Sequence, residues 1–319
     1  ERELADFVGK ESAYLLNFGY QGMVSTIDAL VSRHDVIVYD SNSHACIVDG
    51  VRLHMGKSFM FRHNDMDSFE KNIKRATKVA EENGGGILVI TEGVFGMTGQ
   101  QGKLKEIAEF KKQYSFRLLV DDAHGFGTLG KTGAGAGEEQ GCQDQIDVYF
   151  STFAKSMAGF GAFIAGNKEI IRYLKFNLRS QIFAKSLTMP MVIGGLKRLE
   201  LLRTRPEIKA KLWENVEKLQ NGLLERGFNL GNSNTCVTPV FMQGTPVEAT
   251  LLVKDLRENF GIFTSVVVYP VIPKGSILLR LIPTASHTDA EINETLAAFV
   301  AIHDKLVNGV YREQAEKLL

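Results

Sequence analysis

Tyr149-Phe150-Ser151-Thr152-Phe153-Ala154-Lys155-Ser156-Met157-Ala158-Gly159-Phe160-Gly161-Ala162-Phe163 sets one lysine among apolar and small residues. The lysine follows a run, 147–150, that reads as a buried strand. A lysine in such a place either reaches solvent or loses its charge, because burial disfavours the ammonium form. An uncharged amine can form a Schiff base with a carbonyl compound. Ser151, Thr152 and Ser156 offer hydroxyls, and Gly159 and Gly161 allow close backbone approach, which suits a phosphate-bearing ligand. The same letters also describe a surface lysine on a glycine-rich loop, so the rest of the chain must decide.

Upstream of this stretch, short apolar runs alternate with amphipathic patterns. Strands are expected at 13–17, 35–39, 57–61, 86–91, 116–120 and 147–150, and helices at 21–31, 45–55, 65–82 and 104–114. In the third helix Met66, Phe69, Ile73, Ala76 and Ala80 share one face. Alternation of this kind implies crossover units and a mostly parallel sheet covered by helices, with ligands beyond the carboxyl ends of the strands. Residues 167–226 read as almost wholly helical, with Ile208, Leu212, Val216, Leu219 and Leu223 on one face. From Thr235 the pattern becomes strand 237–242, helix 247–260, strands 262–268 and 277–281, and a last helix opened by Thr288 and Glu291 in capping-box spacing, with Ile292, Leu296, Phe299 and Val300 inward. The expected division is a large domain over 1–195 and a smaller α+β domain over 196–319.

Composition narrows the class of function. The chain has 319 residues, 44% apolar and 23% charged, as in an ordinary globular enzyme of two domains. Lysine plus arginine equals aspartate plus glutamate, 37 against 37, so no overall field draws it to nucleic acid. Cys46, Cys142 and Cys236 are odd in number and widely spaced, which argues for reduced thiols in a cytoplasmic setting and against a disulfide frame or zinc site. No run is long enough for a membrane span, and the N-terminus lacks a signal-peptide core. It opens in mid-pattern, with Leu4, Phe7 and Val8 at helical spacing, so a preceding segment is expected to be missing.

After the 116–120 strand comes Asp121-Asp122-Ala123-His124-Gly125-Phe126-Gly127-Thr128-Leu129-Gly130-Lys131-Thr132. Gly125–Thr132 fits two phosphate-loop patterns, and a P-loop nucleotide hydrolase is the rival of a different class. Both patterns need a helix to open at the loop, whereas the chain continues Gly133-Ala134-Gly135-Ala136-Gly137, poor helix material. The other reading uses Asp121 and His124. A carboxylate at a strand end can hold a ring nitrogen protonated, and an imidazole can bond a phenolic oxygen or act as acid and base; a loop-capping aspartate and a structural histidine remain the plain alternatives. Asp121, Asp122 and His124 could also bind a metal, but no second cluster completes a ligand set, and none is expected. Ser41-Asn42-Ser43-His44-Ala45 comes after another strand, with Ser43 a good N-cap and His44 at the sheet edge, where a flat ring can stack on a flat cofactor; an ordinary helix-start histidine is the plain alternative.

Ser151-Thr152-Phe153-Ala154-Lys155-Ser156, preceded by Val120-Asp121-Asp122-Ala123-His124-Gly125-Phe126-Gly127 and by Ser43-His44-Ala45 with Asp49-Gly50 after it, resembles the α-oxoamine synthases. Thr91-Glu92-Gly93-Val94-Phe95, Ile277-Leu278-Leu279-Arg280-Leu281 and His287-Thr288 extend the resemblance to about Val300. These are pyridoxal-phosphate enzymes that join an amino acid to an acyl-CoA with loss of carbon dioxide. The resemblance implies the aspartate-aminotransferase (fold type I) architecture: an α/β large domain on a mostly parallel seven-stranded sheet and a smaller C-terminal α+β domain. Phe153–Ser156, the 269–275 turn and Arg280 look most like the soluble bacterial serine palmitoyltransferases, which implies serine and palmitoyl-CoA as substrates and 3-oxosphinganine as product. Glycine C-acetyltransferase and 8-amino-7-oxononanoate synthase are the alternatives within the family.

By this resemblance Lys155 would carry the cofactor as an internal aldimine and then serve as the base for the α-proton. Asp121 would pair with the pyridinium nitrogen, His124 would bond the ring hydroxyl, and His44 would stack on the ring and steady the substrate carboxylate. Gly19, Tyr20 and Thr152 would meet the phosphate, and Arg280 would hold the amino-acid carboxylate. Three departures stand out. Gly96 replaces a donor common in relatives. Ala184 replaces a threonine offered to the neighbouring subunit's phosphate, leaving Ser186 or Lys185 as substitutes. The N-terminal segment with its substrate-contacting asparagine is not in this chain. A homodimer with a shared active site is implied, with no integral membrane segment; peripheral membrane association stays open. A catalytically silent subunit of the same fold is a third reading, against which the retained lysine speaks.

Overall fold

The computed structural model describes residues 1–269, 272 and 274–317. Of the 269–275 turn, Pro270, Val271 and Pro273 lie outside the described residues. The chain forms two compact units, Glu1–Phe95 with Gln101–Pro206, and Gly96–Gln100 with Glu207–Leu319.

The first unit is built on a seven-stranded sheet: β1 (Ser12–Leu16), β2 (Val36–Asp40), β3 (Lys57–Phe61), β4 (Ile87–Glu92), β5 (Arg117–Asp121), β6 (Val148–Thr152) and β7 (Ala162–Gly166), in the order β1-β7-β6-β5-β4-β2-β3. The ladders from β3 through β6 are parallel, and β7 runs antiparallel to both β6 and β1. β4 and β6 are buried along their whole length, as central strands between two helix layers must be. β3, an edge, exposes Lys57, Ser58 and Met60.

Its helices are α1 (Arg2–Phe7), α2 (Gly19–Leu30), α3 (Ala45–Leu53), α4 (Met66–Asn83), α5 (Leu104–Glu109), α6 (Ala136–Glu139), α7 (Lys168–Asn177), α8 (Arg179–Ile182) and α9 (Met189–Thr204). The expected stripe on α4 buries Phe69, Ile73, Ala76 and Ala80; Asp65 caps its start by accepting from Ser68 N–H at 2.8 Å, and Gly84 ends it at φ 66°. Met23, Ile27, Ile37, Ile47, Ile90, Leu119, Phe150 and Ile164 form the core on one face of the sheet.

The fold adds one strand and moves one expected boundary. Residues 162–166, to which no element was assigned from the sequence, form strand β7, so the 153–161 loop carrying Lys155 joins an antiparallel pair. The division expected at residue 195 falls at Pro206, because α9 is tied to the first unit: Arg203 Nη2 donates to Asp6 Oδ2 at 2.7 Å and to the Glu3 carbonyl at 3.0 Å.

The second unit contains α10 (Pro206–Glu225, all but its first residue), β8 (Thr238–Gln243), α11 (Pro246–Phe260), β9 (Ser265–Val267), β10 (Ser276–Leu281), α12 (Asp289–Val307) and α13 (Val310–Glu316), with an antiparallel sheet in the order β8-β10-β9. Thr288 and Glu291 form the expected capping box. Leu219, Leu223, Leu252, Ile277, Leu296 and Phe299 meet in its core, while Val300, read as inward, is exposed.

Candidate active site

Three neighbouring strands of the parallel ladder end in acid. Asp40 closes β2, Glu92 closes β4 and Asp121 closes β5, with Glu92 and Asp121 directly opposite in register. All three are buried. Burial raises the Asp121 carboxyl above its ordinary range, opposed by the charge of Lys155, an Ala123 N–H bond at 3.1 Å and His44. Burial and then the Asp121 charge push Glu92 well above the usual carboxylate range, against a hydrogen bond from the His44 N–H and the Lys155 charge. Lys155 itself is exposed, which decides between the two placements that its apolar neighbours left open. The hairpin loop lifts it out of the core, and its charge bears on the two carboxylates instead.

His44, not Ser43, caps α3. Its Nδ1 accepts the Cys46 N–H at 3.3 Å and lies 2.9 Å from Cys46 Sγ. A backbone N–H aimed at Nδ1 makes that nitrogen an acceptor and leaves the proton of the neutral ring on Nε2. The Ser43 hydroxyl is buried without a partner among the described residues. The Cys46 thiol donates to Asp121 Oδ2 at 3.8 Å, and burial followed by the Asp121 charge pushes the thiol far above its ordinary range, so it stays protonated. His44 and Asp121 are thereby brought together through a residue to which the sequence assigned nothing.

At the carboxyl end of β6, Gly19 opens α2 against Thr152. A Cβ on Gly19 would stand 3.2 Å from Thr152 Oγ1. The first amides of α2 have no partner within the helix, and its N-cap Phe18 supplies no side-chain bond, so this end offers N–H groups to an anion. Thr152 Oγ1 donates to the Gly161 carbonyl at 3.0 Å and accepts the Ala154 N–H at 3.2 Å, which fixes its position. The Tyr20 hydroxyl donates to Asp49, and Asn17 donates to the Lys185 carbonyl, holding the exposed segment of Lys185 and Ser186 near the start of α2 within the same chain.

The glycine-rich loop after β5 is not a phosphate cradle. Its amides are already taken: Glu138 accepts from Thr132 N–H and Ala134 N–H, and Glu139 accepts from Gly130 N–H at 2.8 Å. Beyond Lys131 no helix opens until the four-residue α6. The glycines instead make room for Asp122, since a Cβ on Gly93, Gly125 or Gly135 would overlap its carboxylate, and Gly135 also holds φ 111°. Asp122 Oδ2 accepts from Ala136 N–H at 2.8 Å and the Tyr149 hydroxyl at 3.0 Å, Oδ1 has no partner among the described residues, and burial pushes the carboxyl up to about 7. His124, half-buried, sits in the same loop, where its carbonyl accepts from the Thr128 hydroxyl at 2.8 Å.

In the second unit Arg280 Nη1 donates to the Gly96 carbonyl at 3.0 Å, while its buried Nε has no partner among the described residues, and burial lowers the guanidinium pKa. Among the described residues no cluster of His, Cys, Asp or Glu is arranged to hold a metal, and no helix is long and apolar enough to cross a membrane.

Sequence reasoning gave no task to Glu92 or Cys46, and weighed Asp122 only as a metal ligand. A signal did exist for Glu92, an acid closing the wholly apolar run Ile87–Ile90 and Thr91. Nothing in the letters marked Cys46.

The model of the family "Aminotransferase class I and II" matches residues 1–299. A cysteate-C-fatty acyltransferase of Capnocytophaga ochracea is 69% identical over 312 residues, covering 98% of this chain and 74% of that protein. A serine palmitoyltransferase of Sphingobacterium spiritivorum is 35% identical over 302 residues, covering 95% and 74%. A serine palmitoyltransferase solved with PLP as internal aldimine superimposes with a TM-score of 0.88 at 30% identity, over 95% of this chain and 75% of that one. With the strand order, the acid-tipped ladder and the lysine hairpin already in place, these likenesses make the chain a member of the class I and II aminotransferase family, in its α-oxoamine synthase branch near the serine palmitoyltransferases.

Proposed function

We propose that this chain is a pyridoxal-phosphate acyltransferase that condenses cysteate with a fatty acyl thioester, releasing the thiol and carbon dioxide and forming a 2-amino-3-oxoalkane sulfonate. The observation that carries the reading is the placement of a lysine whose charge bears on a buried carboxylate, Asp121, beside a helix N-terminus packed on a threonine hydroxyl. That donor set fits the cofactor: Asp121 for the ring nitrogen, His44 for its face, His124 for the ring hydroxyl, and Gly19, Tyr20 and Thr152 for the phosphate, with Ser186 close by. When bound, the cofactor supplies an electron sink for the carbanion formed at the amino acid's α-carbon.

The chain's own residues do the rest. Lys155 holds the cofactor aldehyde between turnovers and moves the α-proton at Nζ. Asp121 keeps a positive charge on the ring nitrogen. The His44 ring, held by the Cys46 N–H on Nδ1, presents Nε2 to the substrate's acid groups. Arg280, with a buried Nε lacking a partner among the described residues, offers the planar fork suited to a carboxylate. A homodimer is the working form in this reading.

Cysteate is preferred over serine because the relative named for it shares 69% of residues, against 35% for a serine palmitoyltransferase. Serine with palmitoyl-CoA, the expectation drawn from the sequence, remains the second reading on the strength of that relative and of the structural likeness. The test is a matrix of cysteate, serine, glycine and alanine against acyl-CoAs of graded length, following free thiol. Cysteate with a long chain should lead. A serine lead would overturn the choice of amino acid alone, and no thiol release from any pair would overturn the acyl transfer.

A further inference from the structure

Glu92 is a buried carboxylate in the site to which the proposed reaction gives no task. The groups that bear on it come from every element around it: Asp40 from the end of β2, His44 and Cys46 from the start of α3, Asp121 from β5, and Lys155 from the β6–β7 loop. Three acids therefore share this edge of the sheet. Asp40 is provided for elsewhere, since it accepts from His63 Nδ1 at 3.0 Å, Asn42 N–H at 2.8 Å and Asn64 N–H at 3.0 Å. Asp121 accepts from Ala123 N–H on Oδ1 and from the Cys46 thiol on Oδ2, and Lys155 is its leading counter-charge. Among the described residues Glu92 has one hydrogen-bond donor, the His44 N–H on Oε1. Two buried carboxylates opposite each other on neighbouring strands do not both ionise, and the one with fewer donors keeps the proton.

We propose that Glu92 stands in the site as the neutral carboxylic acid, a positioning residue that anchors His44 through Oε1, carries its proton on Oε2, and leaves Asp121 as the charged member of the pair. The direction in which burial and Asp121 move the Glu92 carboxyl agrees with this. The consequence rests on the function proposed above. Asp121 can pair with a protonated ring nitrogen only while it is ionised, and a charged Glu92 would push it toward protonation. A neutral Glu92 also adds a hydrogen-bond donor, not one more negative charge, to a site that must accept a substrate with two acid groups.

The test reads the proton directly and needs no substrate. Infrared spectra of the full chain at about pH 8 should show a protonated-carboxyl stretch that is lost in Glu92→Gln and kept in Asp122→Asn, the latter removing another carboxyl that burial raises. If Glu92→Gln does not fold, the wild-type chain labelled with carboxyl-13C glutamate should show one glutamate resonance at the protonated position at the same pH. A wild-type chain with no such glutamate signal, or a stretch that survives Glu92→Gln and vanishes in Asp121→Asn, overturns the assignment. Either outcome is independent of whether the enzyme transfers acyl groups, so this proposal and the reading beneath it fail separately.

Discussion

Asp122 should make the protein lose stability as pH rises through neutrality. An unfolded aspartate ionises near 3.8, whereas in the fold burial holds this carboxyl protonated up to about 7. Between those values the folded chain binds the extra proton, so the contribution is fully present below about 4, shrinks as pH rises, and is gone above about 7. The gap corresponds to on the order of 4 kcal/mol, a large part of the roughly 5–15 kcal/mol by which domains are stable. Asp122→Asn isolates the effect, because its carbonyl can accept from Ala136 N–H and the Tyr149 hydroxyl while its amide replaces the partnerless Oδ1 without charge. Urea unfolding followed by circular dichroism at pH 5 to 8 is the assay; fluorescence is unsuitable, since Trp213 lies in the other unit. The variant should gain on the wild type by roughly 2–3 kcal/mol across that interval. Parallel curves for the two proteins would refute the argument that the glycines enclose a carboxyl kept neutral by burial.

Other outcomes rest on the same geometry. Lys155→Ala should abolish the visible absorbance band of the cofactor-loaded protein and lower kcat by at least about 100-fold; an intact band would remove the lysine from its role. Gly19→Val should weaken pyridoxal-phosphate binding about tenfold, or about 1.4 kcal/mol, because even a Cβ lies 3.2 Å from Thr152 Oγ1, and an unchanged Kd measured by fluorescence titration would move the phosphate elsewhere. Cys46, Cys142 and Cys236 are all buried, and burial pushes the Cys142 thiol up to about 11, so a disulfide reagent at about pH 8 should find no reactive thiol in the folded chain and three in urea. A fast-reacting thiol in the native protein would contradict the packing around Cys46 in α3, Cys142 after α6 or Cys236 before β8.

The large sheet was legible because each buried strand is an apolar run between amphipathic helices, and one expected strand, 57–61, matches β3 residue for residue. β7 was missed for a physical reason. Ala162–Gly166 is buried on both faces, flanked by Gly161, and comes after β6 with no helix between them, so it carries neither alternation nor a crossover signal. The same omission hid the hairpin that carries Lys155, so the letters left open whether the lysine is buried or exposed.

What the letters gave was position, Asp121 at the end of a strand and His44 at the start of a helix. The site was unreadable where chemistry depends on what occupies the space between chain segments. Glycines after β5 look alike in sequence whether they cradle a phosphate or an aspartate, and only the fold reveals that Glu138 and Glu139 hold the amides and Asp122 fills the space. Ionisation is harder still, because the charge on Asp121 is set jointly by Glu92 from the next strand, by a thiol from α3 and by an amine from a hairpin. No local pattern can report such a balance, since moving any one of those groups by a few ångströms would change which acid holds the proton. A relative could therefore keep Lys155, Asp121 and His44 unchanged and still differ in the substrates it accepts, if a substitution at Glu92 or Cys46 altered the charge that the substrate's acid groups must face.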